Sequence, residues 1–149
     1  MEKGVIVNDV ISYKNALIKE SDSEISERIL QTYSPLALAF LGDAVYSLYI
    51  REAMLKKGNR ASGKLHEDAV QFEKATAQAE VYKAIYDELT EEEQNVMRKG
   101  RNAKPKSTAK HASVSEYHYA TGLEALIGYL YLKGDTERLE YITDRSINM

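Results

Sequence analysis

The spacing of apolar residues is helical along nearly the whole chain. Apolar positions recur at steps of three and four residues, and only 2 of the 149 residues are proline. No segment alternates between apolar and polar residues with turn residues on both sides, as a half-buried strand would. The pattern therefore predicts an all-α protein.

Capping residues mark the predicted ends of several helices. Ser34 followed by Pro35 predicts a helix that runs to about Lys57 and stops at Gly58. From Leu65 to Leu89, apolar residues at helical spacing predict a single amphipathic helix of about six turns.

Capping residues also mark the predicted helix ends in the second half of the chain. Thr90 with Glu93 predicts a capping box for a short helix ending at Gly100, and a loop is expected over 101–112. A helix is expected from Ser113 through Leu132, and Asp135 opens a last amphipathic helix. Residues 34–149 are thus predicted to form one domain, and residues 1–33 an N-terminal extension of short helices.

Two of these helices are apolar on almost all sides, and each has one carboxylate near its middle. In SPLALAFLGDAVYSLYI (34–50) the carboxylate is Asp43, and in YHYATGLEALIGYLYL (117–132) it is Glu124. Such helices belong at the centre of a fold, so the two are expected to pack together, with Gly42 and Gly128 allowing close approach. Each carboxylate is then expected to be buried, which is costly unless it is paired or binds a metal.

Structural interpretations of these carboxylates exist as well. Asp43 could cap a new helix after a break at Gly42, or form half of a buried ion pair. Two lone carboxylates in matching surroundings favour a hard cation such as Mg²⁺, which prefers oxygen ligands and waters. Small neighbours would leave room for the ion: Ala39, Ser47, Ala120 and Thr121. With 0 Cys and 3 scattered His, a zinc site is not expected; His118 is interpreted as a polar surface residue or a support for a metal ligand.

A second candidate feature is the basic run RKGRNAKPKSTAKH at residues 98–111. It carries six cations and no acidic residue, although the chain has a net charge of -3. A dipole-matched helix end followed by a solvated loop is one interpretation, and a phosphate-binding segment is the other. The candidate RNA-binding residues are Arg98, Lys99, Arg101, Asn102, Lys104, Lys106 and Lys110. Phosphate binding beside a carboxylate-bound metal is typical of a metal-dependent phosphodiesterase.

Composition adds little beyond this. The absence of cysteine fits a cytoplasmic location. The Asp43 segment is too short for a membrane span and carries a charge, and no signal peptide is expected.

These motifs carry a family resemblance. LAFLGDAVY (38–46) resembles the signature helix of the ribonuclease III domain, and LEALIGYLYL (123–132) resembles its second metal-binding helix. GRNAK and the absence of a following double-stranded RNA-binding domain are similar to the Mini-ribonuclease III branch of that family. The resemblance extends over residues 35–133.

The resemblance implies an all-α endonuclease domain that works as a homodimer and cuts double-stranded RNA with Mg²⁺, or Mn²⁺ in its place, leaving 5′-phosphates. By motif match, Asp43 is the catalytic aspartate and Glu124 the metal-ligand glutamate. The branch trims the ends of the large-subunit (23S) ribosomal RNA precursor, for which a ribosomal protein is a candidate accessory. Part of the dimer contact is expected at Tyr46, Tyr49 and Ile50.

The chain departs from the family pattern at three positions, and two rival functions are compatible with the sequence. The family usually has glutamates where this chain has Leu36 and Ala39, and an aspartate where it has Thr121, which favours a metal site with fewer ligands and more water. One rival is a non-catalytic RNA-binding homodimer that keeps the fold. The other is an all-α nucleotide pyrophosphohydrolase, which would need several carboxylates at one-turn spacing.

Overall fold

The computed structural model describes residues 23–103 and 113–149. Contacts divide the chain between Tyr33 and Ser34 into two units, taken here one at a time. In the first unit, helix α1 spans Ser23–Thr32, within the segment 1–33 for which short helices are predicted. The remainder of that prediction, before Ser23, lies outside the described residues.

The second unit contains six α-helices among its described residues. They are α2 (Pro35–Lys57), α3 (Ser62–Glu73), α4 (Ala75–Ile85), α5 (Glu91–Asn102), α6 (Val114–Lys133) and α7 (Thr136–Ile147), with a 3₁₀ turn at Tyr86–Glu88. No strand occurs in the described ranges, so the all-α prediction is confirmed there.

The predicted caps are present at most helix ends. The Ser34 side chain accepts the amide N–H of Ala37, and Pro35 opens α2. Thr90 and Glu93 form the complete capping box of α5. Gly134, with a left-handed φ of 80°, ends α6, and the Asp135 side chain accepts the amide N–H of Arg138 in the first turn of α7.

Two boundary predictions are wrong. The helix predicted to end at Gly100 runs on to Asn102, so residues 101 and 102 do not belong to a loop.

The stretch from Leu65 to Leu89 forms two helices, because Lys74 takes an extended conformation (φ -70°, ψ 153°) between α3 and α4. The Gln78 side chain donates to the Glu73 carbonyl at 2.7 Å, which satisfies an acceptor that the break frees. No glycine or proline marks the break, and it adds no residue, so the apolar spacing runs through it unchanged.

Helix α6 lies at the centre of the unit and packs against α2, α4 and α5. Its middle section is buried on nearly every side, including Leu123, Leu126 and Ile127. The predicted packing of the two apolar helices, α2 and α6, is confirmed as the most extensive helix pair in the described fold.

Glycines bring these two helices into backbone contact. A Cβ on Gly42 would overlap the Glu124 carbonyl oxygen and lie 2.8 Å from the Gly128 amide nitrogen. A Cβ on Gly128 would overlap the Leu38 carbonyl oxygen. The crossing therefore fixes Asp43, next to Gly42, beside Glu124.

Candidate active site

Asp43 lies on an unbroken helix and is exposed. Helix α2 runs through Gly42 without interruption, so the alternative in which Asp43 caps a new helix is wrong. The expectation that Asp43 is buried is also wrong, since its side chain is open to solvent while Gly42 and Val45 beside it are buried. Only one face of the apolar α2 is covered, and Asp43 lies at the border of that face.

Glu124 is half-buried and faces Asp43. Burial, and after it hydrogen bonding and like-charge repulsion with Asp43, together raise the pKa of Glu124 to about 9. None of the ion pairs in the described parts of the chain involves either residue. Among the described residues, the two carboxylates thus share a small region without a cation paired to either of them.

The small residues around the pair are mostly packed rather than open. Ala39 and Ala120 are buried. Thr121 is also buried, and its hydroxyl donates to the Tyr117 carbonyl at 2.9 Å, so it does not replace the missing family aspartate as a free oxygen ligand. No cluster of three or more His, Cys, Asp or Glu that could hold a metal occurs within 23–103 and 113–149. A metal here would have two protein carboxylates and otherwise water or substrate oxygens.

An exposed apolar face of α2 borders Asp43. Phe40 is 83% exposed, Leu48 58% and Leu55 55%. At 100° per residue, positions 36, 40, 44, 48 and 55 fall within about 120° of arc on the helix, with Asp43 just beyond one edge. The exposed face is therefore continuous with the carboxylate pair.

The residues predicted for a dimer contact do not lie on this face. Tyr46 is 2% exposed and Ile50 is fully buried, so both belong to the core of the protomer, and that expectation is wrong for them. Tyr49 is half-buried. Periodicity alone could not separate the two faces, because apolar residues occur all round α2.

The predicted RNA-binding residues divide at the end of α5. Arg98 and Lys99 are exposed in its last turns, and Arg98 donates to the Asn95 side chain at 2.7 Å and to the Tyr86 hydroxyl at 3.2 Å. Asn102 is exposed, and Arg101 is half-buried. Lys104, Lys106 and Lys110 lie outside the described residues.

Arg101 belongs to an aromatic cluster that the sequence analysis missed. Its guanidinium carbon lies 5.9 Å from the Tyr82 ring centroid and 5.6 Å from that of Tyr119. The Tyr82 and Tyr119 rings meet edge to face at 4.9 Å, and the ammonium of Lys83 lies 4.7 Å from the Tyr119 centroid. Tyrosines and cations on α4, α5 and α6 share no sequence spacing, so only the packing of three helices reveals this cluster.

Comparison with known proteins agrees with the fold and the motifs. The model of the ribonuclease III domain matches residues 36–135 of this chain. The chain belongs to the ribonuclease III family. It is 48% identical to a protein of Thermoanaerobacter sp. (strain X514) named Mini-ribonuclease 3, over 87% of this chain and 92% of that protein.

Two further proteins are similar to this chain. A Mini-ribonuclease 3 of Symbiobacterium thermophilum is 47% identical, over 74% of this chain and 85% of its own length. A crystal structure of a Fusobacterium nucleatum protein superposes with a TM-score of 0.71 at 35% identity, covering 78% of this chain and 93% of that one. The predicted resemblance to the Mini-ribonuclease III branch and the predicted fold are thus confirmed. None of the described helices is both long and apolar enough to cross a membrane.

Proposed function

We propose that this protein is a metal-dependent endoribonuclease that cleaves double-stranded RNA, with Asp43 and Glu124 as its catalytic metal ligands. The observation that carries the proposal is the pairing of these two carboxylates on α2 and α6, the helices that bear the ribonuclease III motifs. The non-catalytic alternative has no need to keep such a pair.

The surroundings of the carboxylates fit a divalent cation. Burial, together with the neighbouring Asp43 carboxyl, raises the pKa of Glu124 to about 9, and no cation among the described residues pairs with either group. A bound cation would stabilise the ionised form of both carboxylates. An all-oxygen set with water completing the shell suits Mg²⁺ or Mn²⁺. When bound, the metal would lower the pKa of an attacking water and neutralise charge developing on the phosphate.

The chain's own residues hold this arrangement in place. The Gly42–Gly128 crossing sets the distance between the two helices, and therefore the separation of the carboxylates. Both acids come from regular helices, which hold side chains more firmly than loops do. Glu124 is partly shielded from water while Asp43 is open to it, so substrate can approach from the Asp43 side.

We propose that the protein acts as a homodimer through the exposed face of α2. The exposed fraction of Phe40 is unusual for a large aromatic side chain on a soluble surface, and Leu48 and Leu55 extend the same face. A two-fold axis through this face would place the Asp43 sides of the two protomers next to each other, along one surface shared by the dimer. A duplex has local two-fold symmetry of its own, so each protomer could cut one strand.

Duplex RNA would be held mainly through its phosphates. Arg98, Lys99 and Arg101 end the helix that packs against α6, and the remaining cations, Lys104, Lys106 and Lys110, follow in the sequence. Contacts of this kind recognise shape and charge rather than sequence. Binding should therefore weaken steeply with salt.

The physiological substrate that we propose is the precursor of the large-subunit (23S) ribosomal RNA, with a ribosomal protein as a candidate accessory. This assignment rests on the resemblance to the Mini-ribonuclease III branch.

The test is incubation of the purified protein with a labelled RNA duplex, the matching single strands and nucleoside triphosphates, with Mg²⁺ or with excess chelator. Cleavage of both duplex strands to 5′-phosphate ends, only with the metal, is the expected result. Binding of the duplex without any cleavage would establish the non-catalytic function instead. Hydrolysis of nucleotides alone would indicate a pyrophosphohydrolase.

A further inference from the structure

One charged side chain, that of Arg51, lies within the exposed apolar face of α2. At 100° per residue, Arg51 falls about 60° from Leu36, in the middle of the arc that Phe40, Leu48 and Leu55 also occupy. Its side chain is exposed, as are those of these apolar residues. A cation is costly to bury in an apolar contact unless an acid pairs with it. The proposed dimer would bury Arg51, so it needs an acidic partner there.

No acid within the described part of the chain pairs with Arg51. It takes part in none of the ion pairs found there. Its side chain borders a cavity of about 260 Å³ between α2 and α3, together with Met54, Leu65 and His66, and no carboxylate lines this cavity. The described residues of its own protomer therefore leave Arg51 unpaired.

Helix α2 carries two acids, Asp43 and Glu52. Glu52 pairs with the ammonium of Lys56 at 2.9 Å, one turn along the same helix. Asp43 has no cation paired to it in the described ranges, and it is exposed at the border of the same face. It lies about 12 Å along α2 from Arg51 and about 80° around the helix, which is too far for direct pairing within one protomer. One surface thus holds an unpaired cation and an unpaired acid.

A two-fold axis through this face allows two arrangements. If the two α2 helices run parallel, each residue faces its own copy, and the two Arg51 guanidinium groups repel each other. If the helices run antiparallel, each residue faces a different one. The exposed apolar positions extend from Leu36 to Leu55, so an antiparallel crossing is centred at about position 46. Arg51 then lies opposite about position 41 of the partner subunit, within one turn of the partner's Asp43.

We propose that Arg51 crosses the dimer contact and pairs with the partner's Asp43, so that each candidate active site is completed by an arginine from the other protomer. The inference rests on the proposed function, specifically on the dimer through the exposed face of α2. A carboxylate has two oxygens, so Asp43 can accept from a guanidinium on one and hold a metal with the other. Arg51 is thus a positioning residue, which orients the Asp43 carboxylate and weakens its repulsion with Glu124.

Subunit complementation tests the pairing through cleavage of an RNA duplex in Mg²⁺. As homodimers, Arg51→Ala and Asp43→Asn should both cut more slowly, Arg51→Ala by about tenfold or more, as loss of a group that orients a metal ligand does. The two variants are then co-expressed with different affinity tags, and the heterodimer is isolated. One of its sites has both native residues, Asp43 from one protomer and Arg51 from the other. About half of the wild-type rate should therefore return, with cuts in one strand.

If Arg51 acted within its own protomer, both sites of this heterodimer would contain a substitution, and it would be no faster than Arg51→Ala. The control heterodimer combines Asp43→Asn with Glu124→Gln. These two acids of one site come from the same protomer, so the control should remain inactive. Cleavage by both heterodimers or by neither, or an Arg51→Ala homodimer that cuts at the wild-type rate, would overturn the inference and leave the proposed cleavage in place.

A second test does not depend on cleavage. The chain has 0 Cys, so single cysteines can be introduced without competing thiols. A short bifunctional maleimide should join Arg51→Cys chains to Asp43→Cys chains. It should not join Arg51→Cys chains to one another, nor Asp43→Cys chains to Val114→Cys, whose exposed side chain lies on α6 outside the α2 face.

Cross-linking of Arg51→Cys only to itself would indicate parallel helices and contradict the pairing, as would the absence of any cross-link. The expected cross-link in a protein whose wild type cuts no duplex would support the Arg51–Asp43 pairing and reject the proposed cleavage.

Discussion

The backbone of Gly42 lies directly against the carbonyl group of Glu124. A Cβ at position 42 would lie 2.7 Å from the carbonyl carbon of Glu124, closer than real Cβ atoms come to a backbone. One contact thus joins the two helices and sets the positions of both candidate catalytic residues, because Asp43 follows Gly42 and Glu124 supplies the carbonyl. The stability of the fold and the geometry of the site depend on the same crossing.

This contact predicts a large effect from one methyl group. Gly42→Ala must push α2 away from α6 and should lower the free energy of unfolding by about 3 kcal/mol or more, as overpacking against a rigid backbone does. Urea unfolding followed by circular dichroism measures it. The matched control is Gly63→Ala on α3, where nothing lies within 4 Å of the added Cβ, and this variant should be neutral or slightly more stable. Equal stability of the two variants would contradict the close crossing.

The pKa of Glu124 predicts how stability depends on pH without metal. Because burial and Asp43 raise that pKa from 4.5 to about 9, the folded state binds more protons than the unfolded state between these values. The free energy of unfolding should therefore fall as pH rises from about 5 to 9, by up to about 1.4 kcal/mol per pH unit and by less for a half-buried group.

Thermal unfolding in chelator at several pH values measures this dependence. Glu124→Gln should remove most of the decline and raise Tm at pH 8 by a few degrees. Glu140→Gln, an exposed acid on α7, is the control and should keep the wild-type slope. A Glu124→Gln variant with the full wild-type slope would mean that the pKa of Glu124 is not raised in the folded state.

The exposed face of α2 predicts a dimer that depends on Phe40. Phe40→Glu would place two charges near the symmetry axis, so the dimer dissociation constant should rise by at least about a hundredfold while the fold is kept. Sedimentation velocity measures the oligomeric state. Val114→Glu changes another exposed apolar residue, at the start of α6, and should leave the dimer intact. A wild type that is monomeric at high concentration would exclude this interface.

The ion pair between Arg138 and the buried Glu93 predicts an effect on stability. Arg138 donates to both oxygens of Glu93 at 2.8 and 2.9 Å, and Glu93 is only 5% exposed. Burial alone would raise the pKa of Glu93, but hydrogen bonds from Arg138 and Thr90 lower it overall. The stabilisation is therefore present above the usual pKa of glutamate and is lost as pH falls through the lowered value.

Glu93→Ala leaves a charged Arg138 without its partner and removes the capping box, so it should destabilise the fold by about 3 kcal/mol at pH 7. Urea unfolding gives the difference. Glu92→Ala, whose exposed side chain lies 3.8 Å from Lys133, should cost less than about 0.5 kcal/mol. Similar losses for the two variants would show that the buried pair has no special role.

Local sequence signals predicted most helix ends, because caps such as Ser34, the Thr90–Glu93 box and Gly134 act within one turn. The break at Lys74 escaped prediction, since it preserves the apolar spacing and uses no breaker residue. The exposure of Asp43 also escaped, because the uniformly apolar α2 gives no indication of which face the protomer leaves uncovered. The aromatic cluster around Arg101 depends on residues from three helices, and only tertiary packing brings them together.

The most direct test of the central claim is the rate at which wild type and Asp43→Asn cut an RNA duplex in Mg²⁺. Asp43 is exposed, so its replacement should leave the fold intact. The control is Glu140→Gln, which removes the charge of another exposed acidic residue, on α7. We expect cleavage by the wild type and by Glu140→Gln, and a loss of at least about a hundredfold in Asp43→Asn with duplex binding retained. Cleavage by Asp43→Asn at the wild-type rate would show that the Asp43–Glu124 pair is not the catalytic centre.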